Sequence, residues 1–518
     1  MGIVFFCLSI LLSMLLFLYW YLTYDYKYWK ARGVPYIEPS FPFGNLGDVI
    51  LGRKSLIDLV VEQYKQFEGE RFFGIFHLNK PILVLRDSSL VERIMVKDFS
   101  YFCDRGQGTT VNNHILGSYL GNLKGSTWRQ MRQKLNGAFS QSKLKQMSER
   151  ISICSDSLIE SIEDYRMKEE PVKLDSLGIK FIQRVIASCS FGIECDEDGL
   201  QDFVRNVNKV FLKMRIVNLI ILWDMYIPQL TKLLYFIPAV AEVVDYFRNL
   251  SSTTIQVRKS TQRKGNDFLQ ILLDLGGEEE ETDNETYCSH LSGQNDPQSN
   301  SPSEKMQGLY EHCITSQMFI FMSFGLDLVS NIICFILFDL ASNSAIQQRV
   351  HQEIDVVVKK YGHLNFTTLQ KLNYLESVIQ ESLRIKSGFG YTTRVCQVPY
   401  HIPDSDLVVE KGVSVMIPTC AIHLDSQNHL DPEQFIPDRF SDNHFKSGGT
   451  YLPFGMGPRM CVASNLVILQ LKIAVATVMS NYTLRLNKKT SLPLQYAPMF
   501  MPSLLTEVWV DFEQRTPE

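Results

Sequence analysis

The chain has 518 residues, with 51 Lys and Arg against 56 Asp and Glu and a formal net charge of −5. That mild balance excludes broad nucleic-acid binding, which needs a strongly basic surface, and a 45% apolar, 21% charged composition is that of a folded body. None of the 11 cysteines forms a Cys-x-x-Cys pair, which argues against a zinc ribbon, a thioredoxin-type redox pair or a disulfide scaffold.

From Gly2 to Leu22 no residue is charged, and about 20 apolar residues suffice to span a bilayer as a helix. Tyr19, Trp20, Tyr21 and Tyr24 supply an interfacial belt, and Lys27, Lys30 and Arg32 follow directly. No cationic side chain precedes the run and no Ala-x-Ala-like site ends it, so it reads as an uncleaved anchor with the body in the cytosol. Residues 1–24 are the expected anchor. Residues 25–48 form a proline-containing hinge, with Pro35, Pro39 and Pro42 stiffening it, and 49–518 form the globular body.

The body reads mainly as helices. Apolar residues recur at helical spacing through Leu56–Phe67, Trp128–Phe139, Leu177–Phe191 and Tyr310–Leu340. Runs at Ile82–Leu85, Leu407–Val409 and Val413–Ile417 read as short strands. The acidic, polar stretch 276–305 has almost nothing to bury and is expected to be a disordered surface loop.

Three constellations bear chemistry. Trp128 and Arg132 stand one helical turn apart and are both donors suited to a carboxylate. Glu381 and Arg384 share a helix face, and with Arg439 of Pro437-Asp438-Arg439-Phe440 they could form a buried Glu/Arg/Arg cluster. The third is Phe454-Gly455-Met456-Gly457-Pro458-Arg459-Met460-Cys461, followed by an apolar helix over Leu466–Met479. A cysteine that binds iron must be a thiolate, stabilised by backbone N–H groups and positive charge. Gly455 and Gly457 permit a tight turn aimed at one sulfur, Phe454 shields it, and Arg459 pairs with an anionic group.

Together these motifs resemble the cytochrome P450 superfamily, most closely its microsomal, insect-type detoxification branch. The matches run in the family's order over nearly the whole chain. They include Tyr28-Trp29-Lys30-x-Arg32-Gly33-Val34-Pro35, Asp104-Arg105-Gly106, Trp128/Arg132, Asn266-Asp267-Phe268, Glu381/Arg384, Pro437-x-Arg439-Phe440 and Tyr451–Cys461. The resemblance implies a mainly α fold with a small β-sheet subdomain behind an N-terminal transmembrane helix in the endoplasmic reticulum. It implies haem b with Cys461 as axial ligand, and Arg105, Trp128, Arg132, Arg394 and Arg459 on the propionates. It also implies an NADPH-dependent flavoprotein reductase docking on charges such as Arg129, Lys134, Lys143 and Lys145, allows cytochrome b5 as an accessory partner, and points to a lipophilic substrate inserted with one oxygen atom from dioxygen. The expected pocket draws on 106–122, the surroundings of Phe324, the chain after Arg384 and the surroundings of Phe500.

One segment departs from the family pattern. Phe324-Gly325-Leu326-Asp327-Leu328 keeps the glycine and the acid, expected as catalytic residues, but has Phe324 for a small residue and Leu328 for the threonine. Val462-Ala463 and Ser387-Gly388 are lesser departures. Leucine relays no proton. Beside monooxygenation, the sequence therefore leaves open a haem-thiolate isomerase or dehydratase, a peroxide-using enzyme, or a catalytically weakened haem-binding relative.

Overall fold

The computed structural model describes residues 2–106, 118–193, 201, 203–210, 213, 237–261, 265, 267–277, 302–386, 388–441, 448–497 and 504–515. The apolar run is a helix over Gly2–Thr23 with no buried residue. Its hydroxyls turn back on the helix, Ser9 donating to Phe5 O at 2.8 Å and Thr23 to Tyr19 O at 2.8 Å. These two hydroxyls are thus satisfied within the helix, as a polar group crossing lipid must be. His312–Ser342 and Ser464–Asn481 are also long and apolar enough to span, but both are mostly buried in the body.

The proline segment is packed onto the body. Trp29 is 1% exposed and its indole donates to Ile75 O at 3.1 Å. Gly74 receives the ring face, where a Cβ would lie 2.4 Å from the indole, and its backbone bonds Pro35 O and Ile37 N. This contact ties the anchor's exit to a four-stranded sheet of order Phe72–His77, Lys80–Leu85, Ser414–Ile417 and Thr392–Val395. Only the middle pairing is parallel. The predicted strands at Ile82, Leu407 and Val413 are all present, Val408–Val409 pairing separately with Tyr400–His401.

Helices make up most of the rest, as expected. Gly125–Asn136, Gln141–Met167 and Leu174–Phe191 pack with Ser464–Asn481 around the long central helix, each presenting an apolar face to one continuous core. The central helix runs as Pro302–Phe324, a five-residue π turn Gly325–Val329, then Ser330–Ser342. The π turn has identifiable causes. The Ser330 hydroxyl donates back to Leu326 O and Asp327 O, competing with the helix ladder, and Gly325 lacks a side chain. Leu174–Phe191 closes against this turn because Gly178 has no Cβ, which would sit 2.8 Å from Ser330 O. Of the expected disordered stretch, 278–301 lies outside the described residues. Its flanks are helical, within Phe268–Gly277 and from Pro302 onward.

Candidate active site

Between the π turn and the cysteine loop lies a cavity of about 370 Å³. Cys461 lines it, half-buried at the end of a loop held by its own backbone. Gly455 has φ +73°, a backbone conformation that any side chain would strain, and Gly457, at φ +70°, would drive a Cβ to 2.1 Å from Met95 O. Gly455 N donates to Leu452 O at 3.0 Å, and Cys461 N to Phe454 O at 2.9 Å. Burial raises the Cys461 thiol pKa, while the Ala463 backbone N–H and the charges of Arg105 and Arg132 lower it.

The five donors expected around a dianionic group all line this cavity: Arg105, Trp128, Arg132, Arg394 and Arg459. Arg394 arrives from the sheet, and Arg105 is set beside it because Asp104 bridges Val395 and Thr393 Oγ1 donates to Arg105 O at 2.7 Å. Their duties are unequal. Arg459 is largely consumed by protein, its Nε donating to Cys103 O at 2.8 Å and its Nη2 to Asp104 at 3.0 Å and Leu123 O at 2.9 Å. It also lies 4.0 Å over the Trp128 ring, and its pKa is pushed down to about 9 by burial and the charge of Arg105. Arg105 and Arg132 donate to Arg459 O at 2.8 Å and Met460 O at 2.7 Å, clamping the two residues before Cys461. The Nε atoms of Arg105 and Arg394 are buried with no acceptor among the described residues. Arg394 is depressed well below the usual guanidinium range by burial, then by the charges of Arg105 and Arg459.

That surplus of buried cation tests the fit of the implied cofactor. Uncompensated buried charge is costly unless an anion joins it. An iron macrocycle bearing two carboxylates, facing a thiol, supplies the missing anions and the metal. The residues present fit haem b.

Proline-flanked Phe454 lines the cavity next to the loop, as expected. Behind the loop, Glu381 and Arg384, both 0% exposed, form the anticipated cluster. Arg384 bonds both carboxylate oxygens, at 2.7 and 2.9 Å, while Arg439 Nε and Ile436 N reach Oε1 at 3.1 and 2.9 Å.

The distal side differs from the sequence expectation. Phe321, Phe324, Gly325, Leu328, Val329 and Ile332 line the cavity, and Asp327 is not among them. Residues four apart share a face, so 324/328 and 325/329 turn inward and leave the half-buried Asp327 to one side. Gly325 serves packing as much as openness, since a Cβ there would meet Ile186 Cδ1 at 3.1 Å. Phe324 stands edge-on to Phe389 with centroids 5.5 Å apart, forming an aromatic wall. Phe389 falls in the stretch after Arg384 expected to line the pocket, without having been singled out, and sequence reasoning missed Gln317. Gln317 accepts from Leu120 N at 3.0 Å and donates to Ser118 O at 3.1 Å, fixing the chain over the cavity. No local motif marks either residue. Asn266, Ser387, Phe500 and 107–117 lie outside the described residues.

The family model described as Cytochrome P450 matches residues 35–508. Cytochrome P450 6a2 of Drosophila melanogaster is 30% identical over 513 residues, covering 96% of this chain and 97% of the relative. Cytochrome P450 9e2 of Blattella germanica is 29% identical over 524 residues, 95% of each chain. Cytochrome P450 6B1 of Papilio polyxenes is 28% identical over 485 residues, 93% of this chain and 94% of the relative.

Proposed function

This chain belongs to the cytochrome P450 family of haem-thiolate monooxygenases, and from that premise we propose that it inserts one oxygen atom from dioxygen into a lipophilic small molecule at the cavity above Cys461. The observation that carries this reading is the cavity itself: one thiol on a glycine-built loop faces an apolar wall, beside Arg105 and Arg394, whose buried Nε atoms have no acceptor among the described residues.

Haem b, when bound, supplies oxygen activation, and a thiolate ligand favours O–O cleavage. Cys461 would hold the iron. Arg105, Arg132 and Arg394 would take the propionates, with Trp128 as a further donor, while Arg459 would chiefly shape the loop through Asp104. Phe454 would shield the sulfur. Phe324, Leu328 and Phe389 exclude water from the substrate side and favour an apolar ligand.

Proton supply is where this chain differs. From Phe321 to Ile332 no cavity-lining side chain of the central helix carries a donatable proton. In this reading the proton comes from ordered water or from a hydroxyl of the substrate, with Asp327 acting through water. The same observation favours one second reading, a haem-thiolate isomerase, dehydratase or peroxide-using enzyme, whose substrate arrives already oxygenated.

The remaining assignments complete the proposal. Residues 1–24 anchor the chain in the endoplasmic reticulum membrane as a single span, 25–48 join it to the body and 49–518 form the catalytic domain. Electrons come from NADPH through a flavoprotein reductase, with cytochrome b5 as an accessory donor. Arg129 and Lys145 are exposed and suit docking of an acidic partner.

The test is a reductase-coupled assay on a lipophilic panel, measuring NADPH consumed, product formed and peroxide released. Product matching a substantial share of NADPH supports monooxygenation. Turnover of a hydroperoxide without NADPH or reductase, and none with them, supports the second reading.

A further inference from the structure

The cysteine loop and the Glu381/Arg384 cluster are separate in sequence; the Tyr451 hydroxyl donates to Gln380 O at 3.2 Å beside the cluster, and the His423 side chain bonds the cluster and the loop entry directly. His423, 0% exposed, ends the short helix Thr419–His423. Its Nδ1 lies 3.0 Å from Arg384 O, and its Nε2 lies 2.7 Å from Leu452 N. Arg384 Nη1 donates in return to His423 O at 2.6 Å. A carbonyl can only accept and an amide N–H can only donate, so the ring is the neutral tautomer with its proton on Nδ1. Burial also disfavours the charged ring.

From there the bonds continue without a gap. Leu452 O accepts from Gly455 N at 3.0 Å, and Phe454 O accepts from Cys461 N at 2.9 Å. Tyr451, before Leu452, stacks on the His423 ring with centroids 5.7 Å apart. One residue earlier still, Thr450 O is bonded by His429 Nε2 at 3.0 Å. The 423–429 segment therefore grips the entry of the cysteine loop on both sides of Tyr451.

We propose that His423 is a positioning residue for the thiolate: it transfers the rigidity of the Glu381/Arg384 cluster to Leu452 and so fixes where Cys461 presents its sulfur. This rests on the reading of Cys461 as iron ligand. Three substitutes reproduce the ring's bonds to different degrees. Glutamine offers one donor and one acceptor on a three-atom frame like that of the ring. Asparagine can keep the bond to Arg384 O but is too short to reach Leu452 N, and phenylalanine fills the space with neither.

The test uses the full-length haem protein and follows the Soret band of its reduced carbon monoxide complex, thiolate-ligated against non-thiolate, over time. The parent is expected to hold the thiolate band. His423→Phe and His423→Asn are expected to lose it about tenfold faster, as outer residues around metal ligands do, with haem content and helical signal retained. His423→Gln is expected to stay close to the parent. Equal lifetimes for His423→Asn and His423→Gln would overturn the proposal, and that pair decides it if the phenylalanine variant does not fold. Hydrogen exchange on the parent gives a second check, since the Leu452 amide must be protected and rapid exchange there would also overturn it. Absence of the thiolate band in the parent would instead sink the reading of Cys461, a distinguishable failure.

Discussion

Each arginine at the cavity carries a different part of the load, and only some of that was readable from residue type. The sequence identified the donors; it could not tell that Arg459 would be spent on Asp104, or that Arg105 and Arg132 would hold the carbonyls preceding Cys461. Those assignments depend on backbone groups that no side-chain pattern reports. Arg394 gives the sharpest consequence. It is 1% exposed, crowded by two other cations, and without an acceptor for its Nε among the described residues. Arg394→Met should stabilise the haem-free protein by about 1–4 kcal/mol and weaken haem retention, opposite signs readable by denaturant unfolding of the apo form and by haem transfer to an acceptor protein. Across the cavity, Leu328 occupies the face where a hydroxyl was expected. Leu328→Thr should raise the ratio of product to peroxide by about 100-fold, the lower end of what a placed proton donor contributes. An unchanged ratio would show that water or substrate already supplies the proton.

At the level of elements, the unbroken apolar run located the anchor, and periodicity located the central helix, two of the four strands of the sheet and one of the two in the neighbouring hairpin. The π turn at Gly325–Val329 was not visible in that way. It comes from a serine hydroxyl returning to Leu326 O and from the approach of a second helix, and both are tertiary facts. The consequence matters for chemistry, since it turns Leu328 inward and leaves Asp327 aside. The supporting contact is Gly178 on Ser330 O. Gly178→Ala should cost about 1–3 kcal/mol through overpacking and should disturb substrate-induced spectral shifts, whereas an alanine at the solvent-facing Gly137 should change neither. Equal stability of the two variants in urea would contradict the role given to this helix contact.

For the molecule as a whole, Trp29 and Gly74 fasten the segment that follows the N-terminal helix onto the sheet. The body itself should be acid-sensitive in a defined window. His77 and His423 are fully enclosed and held neutral, burial pushing each pKa down to about 3. In the unfolded chain both titrate near about 6.5. A folded pKa below the unfolded one means that stability is fully present above that value and is lost as pH falls toward about 3. Unfolding near about pH 5 should take up about two protons through these residues, a slope of about 2.7 kcal/mol per pH unit. His423→Gln should remove about half of it, and denaturant unfolding across that range checks the number.

The central claim is that Cys461 is the iron ligand of a haem-thiolate enzyme. It is tested most directly by the reduced carbon monoxide spectrum of the full-length protein beside its Cys461→Ser variant, at matched haem content. The thiolate Soret band is expected in the parent and absent from the variant. A parent showing only the non-thiolate band, or a variant keeping the thiolate band, would contradict the account.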